Sequence, residues 1–435
     1  MERFALSRMK EWKENENRKP LIIRGARQVG KTWIMKTFGQ QYFEKTAYVN
    51  FDNNARMKQV FEGDLDIERL VLAISAETGV SIEAENTLII FDEVQEVPKA
   101  LTSLKYFYEN APQYAIVAAG SLLGVALHQG TSFPVGKVDF LDLYPLNFRE
   151  FLCAMGEKQF VSMLDSCDTQ MVTVFKTKYI ERLREYYFVG GMPEVVKDFS
   201  EKKDYNRVRA IQKNLINYYQ QDFSKHAEIK LVPRLNLVWN SIPMQLAKEN
   251  KKYIYGQVRE GSRAKDFELA IQWLLDCGLI HKVQRIQKPD LPLKAYIDFD
   301  AFKLFLVDIG LLIAMTDRDA KVIIEGNKIF TEFKGALTEQ YILQQLISDV
   351  GVIPYYYSTQ NSKGEIDFLV QGKTSVIPIE VKAEENLKAK SLKAFCEKYQ
   401  PSYAVRTSMS DYREQDWMTN IPLYAVKWIK NYVNQ

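Results

Sequence analysis

The sequence predicts an α/β fold divided into several domains, and three observations lead to this fold class. Over residues 1–152, short apolar runs that suit buried parallel strands alternate with segments of helical periodicity. The chain has 435 residues, which is more than one hydrophobic core usually fills. A second group of strands and helices follows in residues 326–435. We therefore expect a parallel sheet at the N-terminus, a helical middle and a second α/β domain at the C-terminus.

The composition is that of a globular chain without strong bulk charge. Hydrophobic residues make up 46% of the sequence and charged residues 26%, which excludes an intrinsically disordered protein. Lys and Arg number 58 against 55 Asp and Glu, so any surface that binds nucleic acid must be local. The chain has four scattered cysteines and three histidines, without a C-x-x-C pair. This pattern argues against a zinc site or a disulfide framework.

The N-terminal residues 1–19 lack the apolar segment of a signal peptide. The longest nearly apolar run, Tyr114 to Leu127, is too short and too rich in glycine to span a bilayer. We therefore expect a soluble, cytoplasmic protein with reduced cysteines and no membrane contact. Residues Met1 to Lys13 can form an amphipathic helix that packs on the N-terminal domain.

The stretch from Lys19 to Thr32 carries the clearest functional motif. An apolar strand precedes residues that fit the phosphate-loop pattern G-x-x-x-x-G-K-[ST] in full. Glycines at both ends leave room for backbone N–H groups to converge on a phosphate. The alternative interpretation is an ordinary glycine turn between a strand and a helix. Lys31 is expected on the β- and γ-phosphates of ATP, and Thr32 on Mg²⁺. The predicted nucleotide-binding residues of this motif are Gly25, Ala26, Arg27, Gln28, Val29, Gly30, Lys31, Thr32 and Trp33.

A second apolar strand, with the sequence TLIIFDEVQ, ends in two acidic residues. Downstream of a complete phosphate loop, Asp92 is expected to hold Mg²⁺ through water and Glu93 to polarise the attacking water. The alternative is an ordinary strand that leaves the core with acids at its end. The next buried strand ends in Ser121, which is expected either to contact the γ-phosphate or to cap the following turn.

The middle of the chain is predicted to be helical from residue 153 and then to form a winged helix. The order helix, helix, strand, loop, strand over residues 232–307 is that of a winged helix. In this arrangement Arg263 and Lys265 begin the helix that can enter a DNA groove. Winged helices also act as protein–protein spacers, and the sequence leaves both uses open.

Residues 326–435 contain a second group of candidate site residues. A predicted helix carries Glu339, and the segments GEIDFLV and VIPIEVK follow as strands. Because side chains alternate along a strand, Glu380 and Lys382 share one face, and Asp367 on the neighbouring strand can join them. Two carboxylates can hold Mg²⁺, and an adjacent lysine can position or activate water against a phosphodiester. The alternative interpretation of Glu380 and Lys382 is the alternating charge that is common on exposed strands.

Seven segments together carry a resemblance to a known family: GARQVGKT, TLIIFDEVQEVP, AAGSLLG, YPLNFREFL, GGMPEVV, GEIDFLV and IPIEVK. The combination resembles the bacterial and archaeal AAA-type ATPases that carry a C-terminal domain of unknown function of the restriction-endonuclease-like, PD-(D/E)xK type. The resemblance implies a P-loop NTPase sheet and ATP hydrolysis at Lys31, Thr32, Asp92 and Glu93. It also implies a nuclease-like site, with Asp367, Glu380 and Lys382 as catalytic residues and Glu339, Asp367 and Glu380 as metal ligands.

One position departs from the family pattern. Such proteins often carry Gly-Arg where this chain has Gly136-Lys137. Lysine cannot reproduce the forked contacts of an arginine finger, so Arg149 and Arg184 become the candidates for that role.

The expected organisation has four parts: an AAA-type ATPase domain (1–152), a helical region (153–225), a winged-helix-like domain (226–325) and a nuclease-like α/β domain (326–435). The expected function is ATP hydrolysis coupled to DNA binding or to Mg²⁺-dependent cleavage of nucleic acid. The alternative is a nucleotide-dependent switch whose nuclease-like domain only binds DNA or a protein partner. ATP and Mg²⁺ are the expected ligands, DNA is a candidate partner, and self-association is left open.

Overall fold

The computed structural model describes residues 2–120, 133–248, 251–316, 331–359, 364–384 and 389–435. These residues divide into two units. The N-terminal unit contains Glu2–Tyr144 and Asp276–Leu279, and the C-terminal unit contains Pro145–Leu275 and Ile280–Gln435. Within the described part of the chain, none of the helices combines the length and apolarity needed to cross a bilayer.

A parallel sheet of five strands, in the order β2-β3-β4-β1-β5, organises the N-terminal unit. Its strands are β1 (Leu21–Arg24), β2 (Lys45–Asn50), β3 (Thr87–Asp92), β4 (Ala115–Ala119) and β5 (Asp139–Asp142). Strands β3 and β4 are buried over their whole length, as their apolar sequences predict. The predicted α/β class with a parallel sheet is therefore confirmed for this unit.

The described residues of the N-terminal unit form the helices α1 (Ala5–Glu14), α2 (Lys31–Tyr42), α3 (Ala55–Glu62), α4 (Ile67–Thr78) and α5 (Pro98–Asn110). Local sequence explains several of their ends: the side chain of Asp66 caps the first turn of α4, and Gly79 ends this helix in the left-handed region. Residues Ile89 and Phe91 of β3 share one face of the sheet and pack into a single core with α3, α4 and α5.

The C-terminal unit begins with a series of helices. They are α6 (Phe148–Ala154), α7 (Lys158–Asp165), α8 (Thr169–Val174), α9 (Lys176–Val189), α10 (Pro193–Lys202), α11 (Tyr205–His226), α12 (Val232–Leu246), α13 (Tyr255–Val258) and α14 (Ala264–Asp276). Farther along, the described residues form four more helices: α15 (Ile309–Met315), α16 (Thr331–Gln345), α17 (Lys390–Tyr399) and α18 (Ile429–Val433). A π-helical turn, Leu346–Val350, continues α16.

The glycine pair that follows α9 forms a turn around a buried carboxylate. The backbone N–H of Gly191 donates to Asp308 Oδ2 at 2.6 Å, and Asp308 Oδ1 caps α15 by accepting from the N–H of Leu311 at 3.1 Å. Gly190 has φ +73°, and a Cβ at this position would overlap the Asp308 carboxylate. The turn therefore requires glycine, and Asp308 joins it to α15.

The sheet of the C-terminal unit has eight strands in the order β12-β13-β11-β10-β9-β8-β6-β7. Its strands are β6 (Ile280–Ile286), β7 (Ile297–Leu306), β8 (Tyr355–Ser358), β9 (Glu365–Gln371), β10 (Val376–Val381), β11 (Val405–Ser408), β12 (Arg413–Gln415) and β13 (Met418–Pro422). Strands β6 and β7, which were predicted as the two strands of a winged helix, pair with each other and continue this sheet, because β6 also pairs in parallel with β8. Strand β12 was not predicted, since its three residues show no apolar alternation.

Candidate functional site

The phosphate loop connects β1 to α2 and adopts a backbone that requires its glycines. Gly25 has φ +151° and Gly30 has φ +96°, values that other residues rarely adopt. A Cβ at Gly25 would overlap the carbonyl oxygen of Leu143, so the space beside this residue is closed to any side chain. Gly30 then serves as the N-cap of α2, which begins at Lys31. The loop thus delivers lysine and threonine at the first turn of a helix, where the partial positive charge favours an anion.

Lys31 folds back over the loop. Its Nζ donates to the carbonyl oxygens of Gly25 at 2.9 Å and Ala26 at 2.8 Å. Burial lowers the pKa of Lys31 to about 8, and the charges of Glu93 and Asp92 oppose this shift. The ammonium group is therefore held by two neutral acceptors that phosphate oxygens can replace.

Thr32 and Asp92 are brought together from α2 and the end of β3. The hydroxyl of Thr32 donates to Asp92 Oδ2 at 2.7 Å, and the carboxylate is buried. Tyr48, which sequence reasoning missed, donates its hydroxyl to the same oxygen at 2.9 Å. Burial and the neighbouring charge of Asp92 raise the pKa of Tyr48. Tyr48 lies opposite Ile90 on the adjacent strand. Its side chain is therefore on the same face of the sheet as that of Asp92, two residues farther along β3.

Glu93 follows Asp92 in a left-handed backbone conformation, with φ +52°. Its N–H donates to Asp92 Oδ1 at 3.1 Å, and its Oε2 accepts from Gln95 Nε2 at 2.7 Å. Positive φ is uncommon for glutamate, and strained backbone of this kind clusters at active sites. Gln95 thus holds the side chain of Glu93, which is predicted to polarise the attacking water.

The remaining predicted nucleotide-binding residues differ in their exposure. Val29 is fully buried, and its carbonyl oxygen accepts from Arg3 Nη1 at 3.0 Å. Trp33 leaves 41% of its surface exposed. Gln28 is exposed and has φ +64°, and Arg27 is half-buried. Ser121, the predicted γ-phosphate contact, lies outside the described residues.

A distant segment, Asp276–Leu279, belongs to the N-terminal unit and lies against the phosphate loop. Gly278 has φ +69°, and a Cβ there would approach the backbone nitrogen of Ala26 to 3.1 Å. The neighbouring Cys277 is buried, and its thiol is close enough to Lys31 to affect the pKa of that lysine. Sequence reasoning missed this segment because nothing local marks it as a neighbour of the loop.

The candidates for an arginine finger have different surroundings. Arg149 is buried in the C-terminal unit, where Nη1 donates to Asp349 Oδ1 at 2.8 Å and Nη2 to Asp165 Oδ2 at 2.7 Å. It is an internal ion-pair residue, which argues against a role as a finger. Lys137 pairs with Glu109 at 3.0 Å, and Arg184 is exposed on α9.

The predicted DNA-contacting residues Arg263 and Lys265 are exposed at the start of α14. The N–H of Arg263 donates to Asp266 Oδ2 at 2.8 Å, which orders this first turn. An open cleft of about 300 Å³ adjoins the turn and is lined by Arg234, Leu237, Arg259, Glu260, Gly261, Ser262, Asp266 and Phe267. Two further arginines thus lie at the same surface as the predicted pair.

The predicted C-terminal residues meet on the sheet. Antiparallel pairing of β9 with β10 places Ile379 opposite Phe368, so the next residues, Glu380 and Asp367, lie beside each other. Asp367 Oδ2 accepts from the N–H of Val381 at 2.7 Å. Lys382 Nζ lies 2.6 Å from Glu380 Oε1.

Two further lysines, not predicted from sequence, enter the same place. Lys251 binds Glu339 Oε1, and Lys303 binds Glu365 Oε1 and lies 3.6 Å from Glu339 Oε2. Lys303 is fully buried, and its position in the apolar run AFKLFLV was the available signal. We call the following set the C-terminal charge cluster: Lys251, Lys303, Glu339, Glu365, Asp367, Glu380 and Lys382.

Electrostatics within the C-terminal charge cluster follow from burial and close pairing. Burial raises the pKa of Asp367 well above its usual value, and the charges of Glu339 and Glu380 raise it further. Burial also raises the pKa of Glu380, against the effect of Lys382. For Lys303, burial alone would lower the pKa, but Glu339 and Glu365 outweigh it and raise the pKa.

The predicted metal ligands of this cluster do not fit a metal ion in the arrangement shown. Among the residues that the structure describes, no group of three or more His, Cys, Asp or Glu side chains could hold one. Lysine ammonium groups bind oxygens of Glu339 and Glu380, and Asp367 accepts a backbone hydrogen bond. In this arrangement lysines supply the positive charge beside Glu339 and Glu380, and the sharing of Mg²⁺ by Glu339, Asp367 and Glu380 stays a prediction.

Comparison with protein families divides the chain into three matched regions. Residues 17–152 match the model of the AAA domain. Residues 180–322 match a domain of unknown function, DUF8612, and residues 334–426 match another, DUF4143. The N-terminal part of the chain is therefore an AAA-type ATPase domain, which confirms the predicted ATPase. Among curated proteins, none matches the chain closely enough to indicate common descent.

Several solved structures align with much of the chain at low similarity. The Walker-type ATPase PABY2304 of Pyrococcus abyssi is 15% identical, with 72% of this chain and 95% of that chain covered and a TM-score of 0.44. The structure of Drosophila ORC bound to DNA is 13% identical, with 74% of this chain and 95% of that chain covered and a TM-score of 0.27. Thermotoga maritima RuvB is 12% identical, with 64% of this chain and 87% of that chain covered and a TM-score of 0.28. TM-scores below 0.5 do not establish a shared overall architecture.

Proposed function

We propose that this AAA-type ATPase binds ATP on the phosphate loop and hydrolyses it with Glu93, and that nucleotide state switches the binding of a second, macromolecular ligand. The contact between Thr32 and Asp92 carries the proposal. A hydroxyl and a carboxylate from separate elements meet at 2.7 Å beside the lysine of the loop. This is the pair of oxygen ligands that a nucleotide-bound Mg²⁺ prefers.

Each residue has a distinct role in this proposal. Lys31 exchanges the carbonyl oxygens of Gly25 and Ala26 for phosphate oxygens and neutralises their charge. Thr32 and Asp92 hold Mg²⁺, which supplies charge stabilisation at the phosphates when it is bound. Glu93, held by Gln95, orients the water that attacks the γ-phosphate.

The residues present fit Mg²⁺ and a nucleotide phosphate. The Asp92 carboxylate is buried and its Oδ2 accepts only neutral hydroxyl donors, from Thr32 and Tyr48, among the hydrogen bonds described for it. A buried carboxylate with neutral donors retains its attraction for a cation. The closed space beside Gly25 likewise suits a loop whose backbone must approach phosphate.

Nucleotide binding to purified protein tests this proposal. Lys31→Ala should abolish binding of a fluorescent ATP analogue and abolish turnover, because the buried ammonium has no replacement. Lys10→Ala is the matched control, since Lys10 forms only an exposed pair with Glu14 on α1. Equal binding by the parent chain and Lys31→Ala would overturn the assignment of the loop.

The surface beside the cleft is the proposed site for the second ligand, and a nucleic-acid backbone is the chemistry that it favours. Arg234 and Arg259 line the cleft, and Arg263 and Lys265 are exposed next to it. Two acidic residues of the lining, Glu260 and Asp266, limit the positive charge, so binding should be weak and local.

Salt dependence of DNA binding tests this surface. The double variant Arg263→Ala/Lys265→Ala should bind duplex DNA less tightly and with a shallower dependence on salt concentration. Lys10→Ala again serves as the control for loss of one positive charge. An unchanged salt slope would favour the use of this region as a protein–protein spacer.

Cleavage of nucleic acid by the C-terminal charge cluster is the second candidate function. The observation that favours it is the position of Asp367 beside Glu380, with Lys382 on the same carboxylate. The described arrangement of these carboxylates does not fit a metal ion, because lysine ammonium groups bind the oxygens of Glu339 and Glu380. A cleavage assay with Mg²⁺ or Mn²⁺, with and without ATP, tests this candidate. Activity that is lost in Glu380→Ala would support it, and no cleavage under any condition would leave the switch as the function.

A further inference from the structure

The C-terminal charge cluster contains its own counter-charges. Lys303 enters from β7, has no exposed side-chain surface and contacts both Glu365 and Glu339. An ammonium group can be buried this deeply only where carboxylates surround it. Its Nζ also lies 4.8 Å from the centre of the Tyr356 ring. Lys303 is thus enclosed on several sides, so we expect it to stay in place while the unit is folded.

Lys251 has a different position. It lies in the segment between α12 and α13, and its Nζ binds Glu339 Oε1. Its side chain retains 13% of its surface, whereas that of Lys303 retains none. Lys251 therefore has a path to solvent that Lys303 lacks. It is the one of these two lysines that can leave without unfolding the sheet.

Two carboxylate oxygens of the cluster are not satisfied by these lysines. Glu380 Oε2 and Glu339 Oε2 are buried and have no hydrogen-bond partner among the described residues, and both side chains are more than nine-tenths buried. An acceptor left in this way carries a desolvation cost that a bound cation would remove. The cluster thus has capacity for a cation at Glu380 and at Glu339, and Lys251 occupies the other oxygen of Glu339.

We propose that Lys251 and Lys303 take the place of a divalent cation in the C-terminal charge cluster, and that Mg²⁺ or Mn²⁺ binds there only after Lys251 leaves Glu339. With all three lysines present, their charges balance those of Glu339, Glu365 and Glu380. Withdrawal of Lys251 leaves an excess of carboxylate beside Asp367, which favours an ion with oxygen ligands. The inference concerns the same cluster as the second candidate function and does not require cleavage.

Terbium luminescence provides a direct readout of cation binding, because tyrosine excites a bound Tb³⁺ and Tyr356 adjoins the cluster. The full-length chain would carry Asp92→Asn, which removes the carboxylate of the proposed ATP site. In this background, Lys251→Ala and Lys251→Gln should each gain a saturable site that Mn²⁺ competes for, at least about tenfold tighter than in the parent. Adding Glu339→Gln should abolish the gain. Lys334→Ala is the control, because its partner Glu384 is exposed.

Three results would overturn the proposal. The first is a site of equal affinity in the parent that Glu339→Gln removes, since Lys251 would then not exclude the ion. The second is the absence of a gain in both folded Lys251 variants. The third is unfolding of both variants by circular dichroism, which would make Lys251 a permanent structural counter-ion. Because the readout is binding alone, failure of nuclease or ATPase activity does not alter its interpretation.

Discussion

The hydroxyl of Thr32 and the carboxylate of Asp92 form a hydrogen bond of 2.7 Å across 60 residues of sequence. Thr32 lies in the first turn of α2 and Asp92 ends β3, so the parallel sheet brings the two residues together. The contact joins the phosphate loop to the residue predicted to hold Mg²⁺. It makes the ATPase assignment testable at the level of single atoms.

Removal of the Thr32 hydroxyl should reduce hydrolysis more than it reduces stability. We expect Thr32→Val to lower kcat/KM for Mg-ATP by about two orders of magnitude, because an ion ligand and the donor to Asp92 are both lost. Thr32→Ser retains the hydroxyl and should keep most of the activity. Steady-state phosphate release over a range of Mg²⁺ concentrations distinguishes the two variants. Equal activity of Thr32→Val and Thr32→Ser would argue against a metal at this position.

Gly278 should affect nucleotide binding although it lies far from the loop in sequence. A Cβ at this position approaches Ala26 N to 3.1 Å, so Gly278→Ala should press on the loop and weaken ATP binding. Gly79→Ala is a matched control, because Gly79 has the same φ of +69° and no atom lies within 4 Å of its added Cβ. Both variants carry similar backbone strain. A similar dissociation constant for ATP in the two variants would show that Asp276–Leu279 does not position the loop.

Asp308 should make the stability of the C-terminal unit depend on pH. Burial raises its pKa to about 6 from the usual 3.8, and backbone N–H groups such as that of Gly191 oppose the shift. Because the folded value is the higher one, the stability contributed by the bound proton is complete below pH 3.8 and is lost as pH rises through about 6.

Asp308→Asn removes this titration and also an acceptor. The amide cannot accept from both Gly191 and Leu311, so we expect a loss of about 1–3 kcal/mol in the free energy of unfolding. The loss should be greater by about 1 kcal/mol at about pH 5 than at about pH 7.5. Urea unfolding followed by tryptophan fluorescence measures both values, with the exposed Asp52→Asn as control. An equal loss at the two pH values would contradict the raised pKa.

The sequence was sufficient to predict the loop and the acids of the N-terminal site, because their positions follow from local motifs. Strand, glycine turn and helix occur consecutively around Lys31, and Asp92 ends an apolar strand. Tyr48 and Gly278 could not be found in this way. Their roles depend on sheet register and on a chain segment that returns to the loop, and neither leaves a local pattern.

The C-terminal charge cluster shows a different limit. Alternation along β10 and the pairing of β9 with β10 were enough to bring Asp367, Glu380 and Lys382 to one place. The sequence could not show that Lys303 would also enter, because β7 was not expected in the same sheet. It could not show the entry of Lys251 either, because this residue lies between two helices and belongs to no strand. Those two lysines neutralise the charges of Glu339 and Glu365 at the place where the sequence predicts a metal ion.

The most direct test of ATP hydrolysis at this site is a single-turnover measurement on Glu93→Gln. The variant keeps Lys31, Thr32 and Asp92, so it should bind ATP with an affinity close to that of the parent chain. Without a carboxylate to polarise water, release of the γ-phosphate should fall by at least about a hundredfold. Glu96→Gln, which alters an exposed acid of the same turn, should behave like the parent. Parent-like phosphate release from Glu93→Gln would contradict the account, and bound but uncleaved ATP is the result that it predicts.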